Sequence, residues 1–377
     1  MSDIATNLDG RPLATTGPVL IIGSGLLGAS AALALRAAGI DVFLDDISPT
    51  SLALARDLGA GEIYRETMAE PRLVIVAVPP DVTSTCVIRA LRDFPSAIVT
   101  DVASVKSLVI SEVLASGVDV SRYVSSHPMA GRERSGAAAA DRDLFIGRPW
   151  VVIAHEQSSD LARLRVRELA VDMGASVVEL DAQGHDTAVA LVSHVPQLVA
   201  SLVAARLADA PDEALALAGQ GLRDTTRIAA SDPRLWTSIV SGNCGPVVEV
   251  LRQFHGDLAD LIAGLESGAQ HGFGADGSVG AINSVIEAGN EGVARIPGKH
   301  GGAPRRWAIV EVLVPDKPGE LARLFSELGA IGINIEDLTL DHSAHQRVGS
   351  ARLMVDPTRA REAEQELETR GWRIVSH

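Results

Sequence analysis

Val19-Leu20-Ile21-Ile22-Gly23-Ser24-Gly25-Leu26-Leu27-Gly28 is the stretch that decides how the first half of this chain folds. Four apolar residues predict a buried strand, a Gly-x-Gly-x-x-Gly string follows at once, and the run Ala29–Ala38 then predicts a helix. The glycine string alone is weak. Its context is the one a dinucleotide-binding turn requires, because Asp46 follows the next strand, Val42–Leu44. In such a turn Gly23 permits the tight bend, Gly25 lets backbone approach a pyrophosphate, and Gly28 lets helix pack on strand. The amides at the start of the helix, at Leu26 and Leu27, then face the diphosphate with the positive end of the helix dipole. Asp46 is placed to accept hydrogen bonds from ribose hydroxyls and to repel a 2′-phosphate, which predicts NAD rather than NADP. Asp45 ranks behind it, since Asp46 leads directly into Ile47-Ser48-Pro49.

Outward from this turn, short β-type runs alternate with Ala/Leu helices: Leu73–Val78, Ala97–Asp101, Tyr123–Ser126, Trp150–Ile153 and Ser176–Glu179. Strands apolar throughout and separated by helices predict a parallel sheet covered on both faces, an α/β Rossmann-type domain over 18–181 after a flexible tail at 1–17. The rhythm then changes. Between His185 and Ala288 no strand is evident, while Thr187–Leu207 and Pro246–Leu265 carry helical apolar spacing. An all-helical second domain over 182–290 is expected. Glycines, Pro297, Pro304 and clustered basic residues in Gly289–Arg306 mark a linker, placed at 291–305. Trp307–Val314, Gly319–Leu328, Ile333–Leu340, Val348–Val355, Thr358–Arg370 and Trp372–Val375 read as βαββαβ, a small ferredoxin-like α+β domain over 306–377.

The formal charge of −15 argues against nucleic acid or an anionic membrane as partner. Cys86 and Cys244 are far apart and outside any metal motif, so a reducing compartment, two buried thiols and no metal are expected. Met1–Gly17 has no long apolar stretch of the signal-peptide kind, and Val19–Ile22 and Leu73–Val78 are strand-length. A bilayer span needs roughly 20 apolar residues. A soluble, cytoplasmic protein is expected.

Three segments carry candidate chemistry: Asp101-Val102-Ala103-Ser104-Val105-Lys106, His127-Pro128-Met129-Ala130-Gly131, and Gly221 to Ala229 with Arg223 and Arg227. The first two follow predicted strands, where parallel sheets bind ligands. Taken singly, each has a plain structural explanation. Pro128 makes His127 part of a rigid turn, Ser104 caps a helix with Lys106 solvated, and Arg223 and Arg227 share a solvated helix face. His194, in Ser193-His194-Val195-Pro196-Gln197, is a core histidine beside a proline that frees the carbonyl of Val192.

Taken together, Gly23–Gly28, Asp101–Lys106, His127–Gly131, Ser193–Pro196 and Thr226–Trp236 resemble the prephenate dehydrogenase family, which also contains arogenate dehydrogenases. The resemblance covers Val19 to Ala288. Pro315-Asp316-Lys317-Pro318-Gly319-Glu320-Leu321 with Gly332-Ile333-Asn334-Ile335 is similar to the ACT domain, an amino-acid-binding regulatory module. The resemblance implies NAD-dependent oxidative decarboxylation of prephenate, or of arogenate, on the tyrosine pathway. It gives His127 the base, and Ser104 the role of orienting His127 or bonding the substrate hydroxyl. It places Arg227 on a substrate carboxylate with Arg223 assisting, Ser193 and His194 in the pocket, and Glu133 at its mouth. It further implies a homodimer joined through the helical domain. Tyrosine is expected as an effector held by Asp316, Pro318, Gly319, Glu320 and Asn334. Two departures stand out: Gln197 occupies a position often histidine, and Arg132 one often small.

A β-hydroxyacid dehydrogenase would need a lysine in its second domain, and none lies between Lys106 and Lys299. An amino-acid sensor on an inert scaffold would not need His127, Ser104 and Arg227 together. An NADH absorbance assay with prephenate separates enzyme from sensor.

Overall fold

The computed structural model of the chain describes residues 12–131, 136–272, 276–297, 307–342 and 348–375. The strands β1 (Val19–Ile22), β2 (Val42–Asp45), β3 (Glu62–Ile63), β4 (Leu73–Val76) and β5 (Ile98–Asp101) form a parallel sheet of order β3-β2-β1-β4-β5. The helices α1 (Leu26–Ala37), α2 (Pro49–Asp57), α3 (Pro80–Asp93) and α4 (Ser107–Ala115) connect or follow them. The strand order reverses beside β1, which opens a crevice at the carboxyl ends of β1 and β4. Strand residues alternate between two cores, as a pleat demands. Val19, Ile21, Leu73 and Ile75 enter one, and Leu20, Ile22, Val74 and Val76 the other. Each such aliphatic side chain stabilises the fold by about 1.5–3 kcal/mol.

The remaining strands of this half depart from the all-parallel expectation. β6 (Ser125–Pro128) pairs antiparallel with β7 (Pro149–Ile153), and β7 pairs parallel with β8 (Ser176–Glu179) after α5 (Asp160–Asp172). The chain just before β6 runs parallel to β5, with Tyr123 bridged to Val99. The two-residue strand β3 was not foreseen, because Glu62–Ile63 is too short to show a period. Residues 12–17 are not a loose tail: the Ala14 and Thr15 amides donate to the Asp172 carboxylate at 3.0 and 2.7 Å.

After β8 the described residues are helical up to Ala294: α6 (Ala182–Val189), a π-helical turn Ala190–His194, α7 (Val195–Ala205), α8 (Asp212–Leu215) and α9 (Gln220–Thr226), then α10 (Pro233–Gly242), α11 (Cys244–His271) and α12 (Asp276–Ala294). The π turn lies where Pro196 withholds the amide that an α-helix would bond to Val192. Ala182–Ala205, which includes most of the apolar helical run expected at Thr187–Leu207, is long and apolar enough to cross a bilayer. However, this segment carries buried His185, Asp186, His194 and Gln197. It is better explained as a core helix that brings polar groups inward. α12 runs through Gly289 and Gly292 to Ala294, so the linker cannot begin before 295. Cys86 is half-buried and Cys244 exposed, correcting the expectation of two buried thiols.

Contacts divide the chain into two compact units, Met1–Ala208 with Thr226–Gln253, and Asp209–Thr225 with Phe254–His377. Helical segments 182–208 and 226–253 thus group with the parallel sheet, rather than separating from it at 181. In the second unit, β9 (Ala308–Pro315), α13 (Glu320–Ala330), β10 (Asp337–His342), β11 (Val348–Val355), α14 (Ala360–Thr369) and β12 (Arg373–Val375) build an antiparallel sheet of order β10-β11-β9-β12. Val310, Val312, Leu324, Leu328, Leu353 and Leu367 fill its core. Gly319 turns the chain into α13 at φ 91°, a left-handed conformation that favours glycine.

Candidate active site

The glycine turn is built as a cradle. A side chain at Gly28 would meet the Gly23 carbonyl oxygen at 1.9 Å, and one at Gly23 would meet that of Ala77 at 2.4 Å. A Cβ at Gly25, by contrast, has no neighbour within 4 Å. Two glycines therefore close the packing of β1, α1 and β4, while the middle one faces space that a diphosphate can fill. Asp46 lies beside this turn, its carboxylate accepting the Ser24 and Ser48 amides at 2.5 and 2.7 Å. The Asp45 carboxylate instead takes Arg89 at 2.8 Å. Leu26 and Leu27 are half-buried at the head of α1. The crevice, its free backbone and the neighbouring acid fit NAD.

Beyond β5 and β6 lies a buried polar cluster. The Asp101 carboxylate, fully buried, accepts the Lys106 ammonium and the Ala103 amide on one oxygen, and the Tyr123 and Ser125 hydroxyls on the other. Lys106 Nζ also donates to the Ser126 carbonyl at 2.8 Å. Burial lowers the proton affinity of Lys106, with Asp101 opposing. Lys106 is thus no solvated end of a helix.

His127, at the carboxyl edge next to Ser126, places Nδ1 2.9 Å from His185 Nε2. His185 Nδ1 lies 2.8 Å from Asp186 Oδ1. Asp186 also accepts the Lys106 amide at 2.9 Å and the Ser107 amide at 2.8 Å, so it caps α4 from a distant helix. The cap expected of Ser104 belongs to Asp186, and the partner at His127 Nδ1 is His185 rather than Ser104, which is half-buried. Burial, then the charges of His185, Lys106 and His194, hold the His127 proton affinity well below the ordinary histidine value. Burial opposes ionisation of Asp186, but hydrogen bonds from His185, Ser107 and Lys106 outweigh it and keep the carboxylate charged.

His194 leaves the π turn inward. Its Nδ1 is 3.1 Å from Asn243 Nδ2, its ring meets Trp236 edge-on, and burial lowers its pKa to about 4. Asn243 also donates to the Asp186 carbonyl at 2.7 Å, tying α10 to α6. Ser193 is half-buried and Gln197 buried. Arg227 opens a short 3₁₀ turn, Arg227–Ala229, that packs on α7. α9 ends at Thr226, so Arg223 and Arg227 do not share one helix face, and they fall in different units. Glu133 and Arg132 lie outside the described residues. No group of three metal-ligating side chains occurs among the described residues.

His185, Asp186, Asn243 and Tyr123 were not anticipated. The signal available was the adjacent pair His185-Asp186 at the head of an apolar helical run, where a buried acid needs partners.

A glycine cradle at the end of β1 and a neutral, buried imidazole in β6, whose approach runs parallel to β5, are the arrangement of a dinucleotide-dependent oxidoreductase. Comparison with known proteins narrows this. Residues 31–179 match the nucleotide-binding domain of prephenate dehydrogenase, and residues 181–275 match its dimerization domain. A relative from Streptomyces niveus, described as a probable prephenate dehydrogenase, is 36% identical over 94% of this chain and 98% of its own. The Lactococcus lactis prephenate dehydrogenase is 30% identical over 82% of this chain and 86% of its own. The Aquifex aeolicus prephenate dehydrogenase, solved with hydroxyphenyl propionate and NAD+, is 28% identical at a TM-score of 0.61, covering 72% of this chain and 97% of its own. The chain belongs to the prephenate dehydrogenase family, NAD-dependent oxidoreductases.

Proposed function

We propose that the protein oxidises and decarboxylates prephenate to 4-hydroxyphenylpyruvate, with His127 as the base. The observation that carries this reading is the His127 imidazole itself: held neutral, tied down at Nδ1, and set in β6, whose approach runs parallel to β5. Held by the Gly23–Gly28 turn and Asp46, NAD would supply the hydride acceptor for the ring carbon that bears the hydroxyl. His127 Nε2 takes the hydroxyl proton as the carbonyl forms. The bond to the ring carboxylate then breaks, its electrons run through the ring to the oxygen, and the same proton returns from His127 as the ring becomes aromatic. No net proton is released, so the base needs no exit path for one. Ser104 bonds the substrate hydroxyl and Arg227 pairs with a carboxylate, while Ser193, His194 and Gln197 line the pocket. Metal plays no part in this scheme.

Gln197 is buried and uncharged, which favours neither a keto nor an ammonium side chain. Arogenate is therefore the second substrate to assay, each followed by NADH absorbance. Absence of turnover with both would overturn the reading. Asp46 motivates a second test. Asp46→Ser removes the carboxylate that repels a 2′-phosphate, and the ratio of kcat/KM for NAD over NADP should fall. A wild-type ratio that favours NADP would count against Asp46 as the discriminating residue.

The same reading extends to a cytoplasmic homodimer joined through helices of the middle region, and to an ACT-type regulatory domain in residues 306–377. Gly319 turns the chain into the head of α13, where first-turn amides suit an α-carboxylate near Asp316, Pro318 and Glu320. Asn334 donates its Nδ2 to Glu336 at 2.6 Å, leaving its side-chain oxygen for an α-amino group. Tyrosine is the expected effector. A typical coupling of about 1–3 kcal/mol would weaken substrate binding 5- to 150-fold. Calorimetric titration with tyrosine, phenylalanine and tryptophan tests binding, and inhibition of a chain truncated after residue 302 tests its location. Equal tyrosine inhibition of the truncated chain would move the effect to the His127 site.

A further inference from the structure

The hydrogen-bond chain from His127 to Asp186 has a direction, and that direction decides what His127 can do. Asp186 is an acceptor only. Its Oδ1 takes the Lys106 amide and its Oδ2 the Ser107 amide, and both bonds fix the carboxylate at the head of α4. Any hydrogen between Asp186 Oδ1 and His185 Nδ1 therefore resides on His185. With its one hydrogen on Nδ1, His185 has a lone pair on Nε2, the atom 2.9 Å from His127 Nδ1. That contact needs a donor, and only a hydrogen on His127 Nδ1 supplies it. The remaining nitrogen of His127, Nε2, then carries a lone pair.

We propose that His185 and Asp186 are positioning residues that hold His127 in the Nδ1–H tautomer, so that Nε2 is free to accept the substrate hydroxyl proton. This rests on the reading of His127 as the base and adds to it the groups that prepare it. When Nε2 takes the proton, His127 keeps its Nδ1 hydrogen and becomes an imidazolium. The charge is stabilised through His185 by Asp186, and the imidazolium reverts to the same tautomer when the proton returns to the aromatic oxygen. The arrangement resolves a difficulty of the site. Lys106 and His194 face the same region and disfavour positive charge on His127, and Asp101 is taken up by Lys106 and two hydroxyls. Asp186 is the carboxylate linked to His127 by hydrogen bonds through a single side chain. Asn243, bonded to the Asp186 carbonyl at 2.7 Å, holds the two positioning residues against the sheet.

The test reads the tautomer directly. Long-range ¹H–¹⁵N spectra of the whole wild-type protein with ¹⁵N-labelled histidine, the His127 signals being assigned by their loss in His127→Asn, should show a protonated Nδ1 and a bare Nε2. A protonated Nε2 at neutral pH overturns the proposal, and His127→Asn, which keeps a donor towards His185, serves only to assign the signals. Two substitutions then test the consequence. His185→Gln can place its carboxamide oxygen towards His127 and its NH₂ towards Asp186, keeping the direction of the chain. His185→Leu keeps bulk and loses both bonds. His185→Leu should lose at least about 10²-fold in kcat with little change in KM, since the loss falls on the proton transfer. His185→Gln should recover on the order of tenfold or more of that loss, as the correct tautomer is restored. Equal loss in both variants, with NADH binding intact in each, would reduce His185 to a packing residue and overturn the proposal. Failure of the underlying reading looks different: His127→Asn would then keep wild-type kcat whatever the tautomer.

Discussion

Replacing His127 by Asn should lower kcat by roughly 10²–10⁴, the scale of a positioned general base, while NADH binding and the unfolding midpoint stay close to wild type. The asymmetry between the two effects follows from the contacts. An Asn side chain at position 127 can still donate from Nδ2 to His185 Nε2, so the buried partner of His127 is not left unpaired. The nitrogen that would meet the substrate is lost. The glycine cradle and Asp46 follow other strands, β1 and β2, and are untouched. Retention of near-wild-type kcat would remove His127 from the chemistry. The pH profile provides an independent check with a definite sign. The proton affinity of His127 is depressed by burial first and then by His185, Lys106 and His194. A base must be neutral to act, so the acid limb of kcat/KM, which reports the free enzyme, should lie below the ordinary histidine value of about 6.5. An acid limb above that value would mean that the titrating group is not this imidazole.

Much of the architecture was legible because it follows from period and composition. Val19–Gly28 is locally consistent at every level: strand propensity, glycines where backbone needs them, a helix beyond. The C-terminal βαββαβ order was readable for the same reason, since each strand is short, apolar on one face and bounded by turn residues. What was not legible depends on long-range pairing. Nothing in Ser125–Pro128 announces that it pairs antiparallel with β7, because direction is a property of the partner. The division of the helical region was equally hidden. His185 and Asp186 are 58 and 80 residues away in sequence from the groups they bind, His127 and Lys106. Single-residue readings erred in the same direction. Lys106 read as a solvated helix end, Ser104 as its cap, and Arg223 and Arg227 as one helix face. In each case an apparently local feature was settled by a residue far along the chain, or by a helix that ended a residue earlier than its spacing implied.

Lys106 supports the second large expected effect, this one on stability. Its side chain is fully buried and bonded to Asp101 and to the Ser126 carbonyl. Lys106→Met fills the same space without the charge. It leaves the Asp101 carboxylate with the Ala103 amide and the Tyr123 and Ser125 hydroxyls, but with no positive partner. Breaking one side of a buried ion pair typically costs about 3–5 kcal/mol, because the orphaned charge stays in a poorly polarisable site. A large drop in the urea midpoint is expected, and a drop equivalent to less than about 1 kcal/mol, the range of an exposed pair, would show that the ammonium is not coupled to Asp101 as the geometry implies. The pair can be separated from mere packing by Asp101→Asn in the same chain. The amide removes the orphaned charge while it can still accept from the hydroxyls on one atom. The double variant should therefore recover part of the loss, and a double-mutant cycle should return a coupling of 0.5–3 kcal/mol between the two sites, the range for residues in contact. Such a result bears on function as well, because the Ser126 carbonyl held by Lys106 immediately precedes His127. If the ammonium serves stability alone, the double variant should regain midpoint and kcat together. If it also fixes the placement of the base, the midpoint should recover further than kcat, and the difference would measure how much of the catalytic geometry rests on this buried pair.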